Sequence, residues 1–269
     1  MFKRRRKIET TAEKSGESKG TEKVPFFKRV ASGLLDAFFP ENIKCICCGD
    51  ELSKETDYCL CGSCNKTLSF ATESICLKCG VQLENLSDFC QTCKFTAREF
   101  TIARAPLIYE GTAAKLVKDF KSGDKFLAPY LAAIMADCYE KELAAYQIDA
   151  AVYVPSDKER IKARGYNQSE ELCKHFCEKT AVPFIKDCLV EIRTTKKQAL
   201  LPAAERAENV AGAYALNPNF DKSQLKHKNI LLIDDIFTTG STAGECARIL
   251  KKGGAKDVFV LTLATGKGK

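Results

Sequence analysis

Apolar positions in this chain fall into short unbroken runs separated by longer amphipathic stretches. Residues 150–154, 230–233 and 258–262 are such runs, long enough for strands buried on both faces and too short for helices, and 188–192, though broken by Glu191, also reads as a strand. Between them the period lengthens. Residues 111–122 place Ala114, Leu116, Val117 and Phe120 on one helical side, and 126–146 reads as a longer helix rich in Ala and Leu. Residues 169–179 turn Leu172, Cys173, Phe176 and Cys177 inward, 203–209 form a short helix, and 243–252 form another, stopped by Gly253 and Gly254. Residues 213–216 look extended, while 156–168 and 193–201 are basic and irregular. Strands alternating with helices predict an α/β fold with a mainly parallel sheet and helices on both faces.

The first part of the chain has no such alternation. Residues 1–23 are polar and charged, with KRRRK at 3–7, and predict a disordered basic tail. In 24–40, Phe26, Phe27, Val30, Leu34, Leu35 and Phe38 recur at helical spacing between Pro25 and Pro40. The helix they predict either docks on its own protein or, with the basic residues before it, lies on a membrane surface; docking is the simpler reading. The remaining boundaries are a Cys-rich module over 41–95 and an α/β domain over 100–266.

Composition narrows the function classes. No run is long enough for a transmembrane helix, and the basic start is followed by polar residues where a signal peptide needs an apolar core. Fifteen cysteines without an export signal point to a reducing cytoplasm and metal-bound thiolates, not to disulfides. The net charge of +7 favours anionic partners such as phosphates or nucleic acid.

Eight cysteines form CxxC pairs: Cys45/Cys48, Cys61/Cys64, Cys76/Cys79 and Cys90/Cys93. A CxxC turn offers two thiolates from one knuckle and zinc takes four, so the pairs supply two closed, structural zinc sites. The simplest pairing is sequential, a double zinc ribbon, although spacing alone also allows a cross-braced one. Cys47 and Cys59 are surplus. Metal here stands in for a core that so short a segment could hardly build.

The chemistry-bearing stretch is 229–242, NILLIDDIFTTGST. Its apolar run ends in Asp234 and Asp235, followed by Thr238, Thr239, Gly240, Ser241 and Thr242 at the start of a helix. Amides and hydroxyls of that turn can ring a phosphate at the positive end of the helix, and the two carboxylates can accept hydrogen bonds from vicinal sugar hydroxyls. A Walker B strand also ends in acids, but the chain has no GxxxxGK[ST] partner loop. With only two histidines, His-based general catalysis is a poor fit.

IDDIFTTGST resembles the 5-phosphoribosyl diphosphate (PRPP) signature of type I phosphoribosyltransferases. The ordered set of CxxC knuckles, FKSGD, RGYNQ, RTTKKQ, ERAEN and LLIDDIFTTGST is similar to the ComF family of competence proteins, which join a zinc-binding part to a phosphoribosyltransferase domain. The resemblance implies a type I phosphoribosyltransferase-like sheet preceded by a small double zinc ribbon. It implies that Asp234 and Asp235 hold the ribose 2- and 3-hydroxyls and that Thr238, Thr239, Gly240, Ser241 and Thr242 cradle the 5-phosphate. The loop starting at Pro155 and Ser156 would face the diphosphate, with Arg160 and Arg164 as its charge partners. Arg193, Thr194, Lys196, Lys197 and Gln198 would belong to a hood closing over the site. Magnesium would accompany PRPP.

Three functions stay open on the sequence: a phosphoribosyltransferase of unspecified acceptor linked to DNA uptake, a single-stranded-DNA-binding accessory working with competence helicase-type proteins, and a PRPP-sensing regulator. The oligomeric state is not legible.

Overall fold

The computed structural model describes residues 44–52, 56–72, 74–85, 87–193, 195 and 203–267. The tail expected over 1–23, the helix expected over 24–40, and Thr194, Lys196, Lys197 and Gln198 lie outside the described residues. The helices are α1 (Gly62–Lys66), α2 (Gln91–Phe95), α3 (Gly111–Ser122), α4 (Ala128–Glu142), α5 (Lys158–Arg164), α6 (Gln168–Thr180), α7 (Ala203–Val210) and α8 (Ser241–Lys252). The strands are β1 (Ala103–Arg104), β2 (Leu107–Ile108), β3 (Ala150–Tyr153), β4 (Leu189–Glu191), β5 (Tyr214–Leu216), β6 (Asn229–Phe237) and β7 (Asp257–Thr265).

The central sheet runs β1-β7-β6-β3, with β2 also on β7, and every pairing in it is parallel. Its middle strands are buried on both faces, as their unbroken apolar runs require. Leu231, Ile233, Phe259 and Leu261 enter one core with α3, α4 and α6. Ile230, Leu232, Val258 and Val260 alternate with them into a second core with α8 and the β4–β5 ribbon. The expected mainly parallel sheet with helices on both faces is therefore observed.

The structure corrects several local expectations. Residues 188–192 and 213–216 do not join the sheet; β4 and β5 pair antiparallel as a separate ribbon. Residues 156–168 are not irregular: α5 forms there because the Asp157 carboxylate accepts from the Arg160 amide at 3.0 Å and caps the helix. The first two strands of the sheet, β1 and β2, each paired with β7, fall in 96–109, where two-residue strands are too short for periodicity to register. The strand that carries the acids is longer than its apolar run, so Asp234 and Asp235 lie inside β6, not beyond its end.

The Cys-rich segment covers the β1–β2 edge of the sheet and contributes to both cores: Cys45 and Cys47 to one, Cys76, Cys79 and Cys90 to the other. The backbone stitches it down. Ala103 donates to the Lys78 carbonyl at 2.9 Å, Ala71 to Pro106 at 2.8 Å and Ile108 to Ser69 at 2.9 Å. Gly80 has φ +70, and a Cβ on it would stand 2.6 Å from the Ala103 carbonyl oxygen. A side chain would lift this knuckle off the sheet.

Candidate functional site

The eight CxxC thiols gather as two groups, Cys45/Cys48/Cys61/Cys64 and Cys76/Cys79/Cys90/Cys93, with all sulfurs of a group within 4.8 Å of one another. The pairing is sequential. Cys48 and Cys61 sulfurs are 3.6 Å apart, as are those of Cys79 and Cys90. A zinc ion bonded to four thiolates at about 2.3 Å sets its sulfurs about 3.8 Å apart, so both groups fit the metal. Cys47 and Cys59 stay outside the two groups. Burial opposes ionisation of Cys45 and Cys76, but backbone N–H donors from their own and the facing knuckles outweigh it, lowering Cys45 to about 6 and Cys76 to about 7. Each group fills its coordination sphere with protein sulfur, which makes the metal structural.

The second site is the cleft at the carboxyl end of the sheet. A space of about 340 Å³ is lined by Pro155 and Ser156 after β3, by Arg160, Arg164, Gln168 and Ser169, and by Asp234, Asp235, Thr238 and Thr242. Beside it Thr238, Thr239, Gly240, Ser241 and Thr242 curl around a smaller hollow of about 20 Å³ at the start of α8. β6 runs parallel to β3 and β7, so its acids and the turn after it open on the same end of the sheet as the β3 loop.

Two residues that sequence reasoning passed over hold the acids. Ser169 Oγ donates to Asp234 Oδ1 at 2.8 Å, and the Asp235 amide donates to the same oxygen at 2.8 Å. Lys121 Nζ lies 2.7 Å from Asp235 Oδ2. Burial, and secondly the neighbouring Asp235 charge, push Asp234 up from 3.8 to about 7, against the pull of those donors and of Lys121. The motifs FKSGD and RGYNQ were visible as words; their meaning depends on contact. Lys121 belongs to the first. In the second, Tyr166 donates its hydroxyl to the Phe120 carbonyl and so seats the end of α3. Asn167 caps α6 by accepting from Ser169 N at 3.0 Å and donates to the Val154 carbonyl at 3.1 Å.

The arginines divide. Arg164 faces the cleft while donating to Gln168 Oε1 at 2.9 Å. Arg160 also lines it, but its guanidinium is engaged: Nε pairs with Asp157 Oδ2 at 2.9 Å, and Nη2 donates to the Thr195 carbonyl and, at 2.9 Å, to its hydroxyl. Arg193 is not brought into the cleft; it donates to the Asn209 and Ala211 carbonyls, each at 3.0 Å. Thr195, from the same basic segment, does line the cleft.

Among the described residues no helix is long and apolar enough to cross a membrane. The double zinc ribbon domain family matches residues 34–94. The chain is 30% identical over 234 residues to competence protein ComFC of Streptococcus pneumoniae, covering 82% of this chain and 99% of that protein. It is 26% identical to competence protein F of Haemophilus influenzae over 83% of this chain and 97% of that one. DNA utilization protein YhgH of Escherichia coli K12 is 31% identical over 43% of this chain and 48% of its own length. Among solved structures, a hypoxanthine phosphoribosyltransferase from Staphylococcus aureus superposes with a TM-score of only 0.29 at 15% identity, over 56% of this chain and 63% of that one. With a relative aligned along nearly its whole length and two closed thiolate clusters in the ribbon, the chain belongs to the ComF family of competence proteins.

Proposed function

We propose that the cleft binds PRPP and transfers its phosphoribosyl group, with magnesium, to an acceptor in the service of DNA uptake or processing. The observation that carries this reading is that three groups line one cleft. Asp234 and Asp235 can accept from a vicinal diol, the Thr238–Thr242 turn opens toward an anion at a helix start, and the β3 loop lies opposite.

In the reaction, the bond from ribose C1 to the diphosphate oxygen breaks and the diphosphate leaves with the electron pair. A new bond forms from C1 to the acceptor, which gives up a proton. Positive charge grows on the ribose ring in between, so stabilisation is electrostatic and needs no protein nucleophile. The carboxylates fix the ring through its hydroxyls, and Arg164 presents positive charge where the diphosphate would depart. Magnesium, when bound, neutralises the leaving diphosphate. The donor set fits such an ion, since the cleft is lined by carboxylates and by serine and threonine hydroxyls, the oxygen ligands a hard cation takes.

Titration calorimetry with Mg-PRPP tests binding, and diphosphate release in the presence of candidate acceptors tests turnover. Absence of heat with Mg-PRPP would remove the proposal. Binding without release would leave a PRPP sensor. The DNA-binding reading draws support from relatives named as DNA utilization and competence proteins. Salt-sensitive retention of single strands that survives Asp235→Asn but weakens when Lys162 and Arg164 are neutralised would favour it.

A further inference from the structure

We infer that Arg98 is a positioning residue that sets the phosphate turn from the second thiolate cluster, so that the ribbon shapes the proposed site as well as covering the sheet edge. The inference rests on the phosphosugar reading of that turn.

Arg98 follows the last ligand, Cys93, by one short stretch of chain, yet its Nη1 donates to the Thr239 carbonyl at 2.8 Å, across 141 positions of sequence. Its guanidinium lies 5.9 Å from the centre of the Phe100 ring. Phe100 in turn meets Phe237 edge-on at 5.9 Å. Gly240 is seated against this assembly with φ +76; a Cβ there would stand 2.5 Å from Phe237 Cζ and 3.3 Å from Arg98 Nη1. The turn is thus gripped by a cation and one ring, Arg98 and Phe100, from the segment that leaves the ribbon, with Phe237 of β6 completing the aromatic pair. The same guanidinium stands near enough to Cys93 for its charge to favour the Cys93 thiolate, which places the grip beside the cluster.

The consequence for the turn is geometric. A trans peptide points its C=O and the next N–H in opposite directions. Holding the Thr239 carbonyl toward Arg98 therefore turns the Gly240 amide away from the ribbon. An anion nest works only when successive amides are held convergent, and a carbonyl free to rotate would put its negative end where the phosphate should sit. Arg98 touches no substrate in this scheme; it acts through the peptide it orients.

The test uses the full chain as wild type, Arg98→Gln, Arg98→Lys, Cys93→Ser and the Arg98→Gln/Cys93→Ser double variant, each assayed for zinc. Amide hydrogen exchange at residues 238–242 is read first, with α6 amides as the internal control. Affinities for ribose 5-phosphate and for inorganic diphosphate, which should occupy opposite ends of the cleft, are read second. Arg98→Gln should speed exchange in the turn about tenfold, the effect of losing one charge-assisted hydrogen bond. It should weaken ribose 5-phosphate by a similar factor, keep its zinc, and change neither α6 exchange nor diphosphate affinity. Arg98→Lys should restore part of the loss. Cys93→Ser should reproduce the turn effect and combine with Arg98→Gln less than additively. Unchanged exchange in Arg98→Gln, or full additivity with Cys93→Ser, would overturn the inference. Faster exchange in a protein whose wild type binds no ribose 5-phosphate would uphold the link and sink the phosphosugar reading.

Discussion

Lys121 Nζ and Asp235 Oδ2 lie 2.7 Å apart at the mouth of the cleft, joining the last turn of α3 to the carboxyl end of β6. The pair explains how two adjacent carboxylates can share one wall. One is matched by an ammonium, and the other, Asp234, takes the burden of burial and is pushed up to about 7. The two acids therefore stand in different surroundings although they are neighbours in sequence. A sugar diol needs acceptors, so the state of Asp234 should govern ligand affinity.

The affinity for Mg-PRPP should accordingly rise as pH increases through about 7, as Asp234 loses its proton. The Lys121 charge lowers the pKa of Asp234, so Lys121→Met should move that rise to higher pH and weaken binding about tenfold at neutrality. Calorimetric titrations between about pH 5.5 and about pH 8.5 read both effects. A flat profile in the wild type would contradict the assignment.

Stability should respond in the opposite sense. Asp234 has its folded pKa raised from 3.8 to about 7, so the folded chain keeps a proton that the unfolded chain has already lost. Its contribution is present below the ordinary value and is lost as pH rises through about 7. Asp234→Asn keeps the shape and removes the charge. It should raise the melting temperature at pH 8 by roughly 2–4 °C while weakening PRPP at least tenfold. Ser169→Ala should weaken PRPP about fivefold, since it withdraws one donor from the same carboxylate.

Arg160 is expected to matter more for holding the wall of the cleft than for binding the diphosphate. The Glu191 side chain is fully buried, with Arg160 Nη1 3.7 Å from Oε2, and its other oxygen accepts from the Thr195 amide at 3.1 Å and hydroxyl at 3.0 Å. Arg160→Ala strips a buried carboxylate of its counter-charge and should cost about 2 kcal/mol in urea unfolding. Adding Glu191→Gln to it should recover part of the loss, because the fully buried one of the two carboxylates that Arg160 faces is then neutral. Loss of diphosphate affinity without loss of stability in Arg160→Ala would reverse this ranking.

Metal analysis should return about two zinc ions per chain, falling to about one in Cys61→Ser and in Cys90→Ser, which sit in different groups. Because the first group's segment packs on α3 and α4 and the second group's on α8, chelation should lower the melting temperature of the entire unit, not melt the ribbon alone. One zinc in the wild type would break the double-ribbon assignment.

Much of this was legible along the chain because it rests on local rules. Unbroken apolar runs marked β3, β6 and β7, helical periods marked α3, α4 and α6, and CxxC spacing marked the thiolate pairs, since a knuckle's geometry is set within four residues. The signature in β6 exposed its acids and the proposed anion turn for the same reason. What only the folded chain decided is what lies beside what. The sulfurs chose sequential pairing; Lys121 and Ser169, far apart in sequence, met on two adjacent acids; Arg193 was drawn away from the cleft and Arg98 toward it. Such contacts carry no period and no motif. They follow from parallel strand order and from burial on both faces of the sheet, which bring distant side chains within hydrogen-bond reach and set how strongly each one holds its charge.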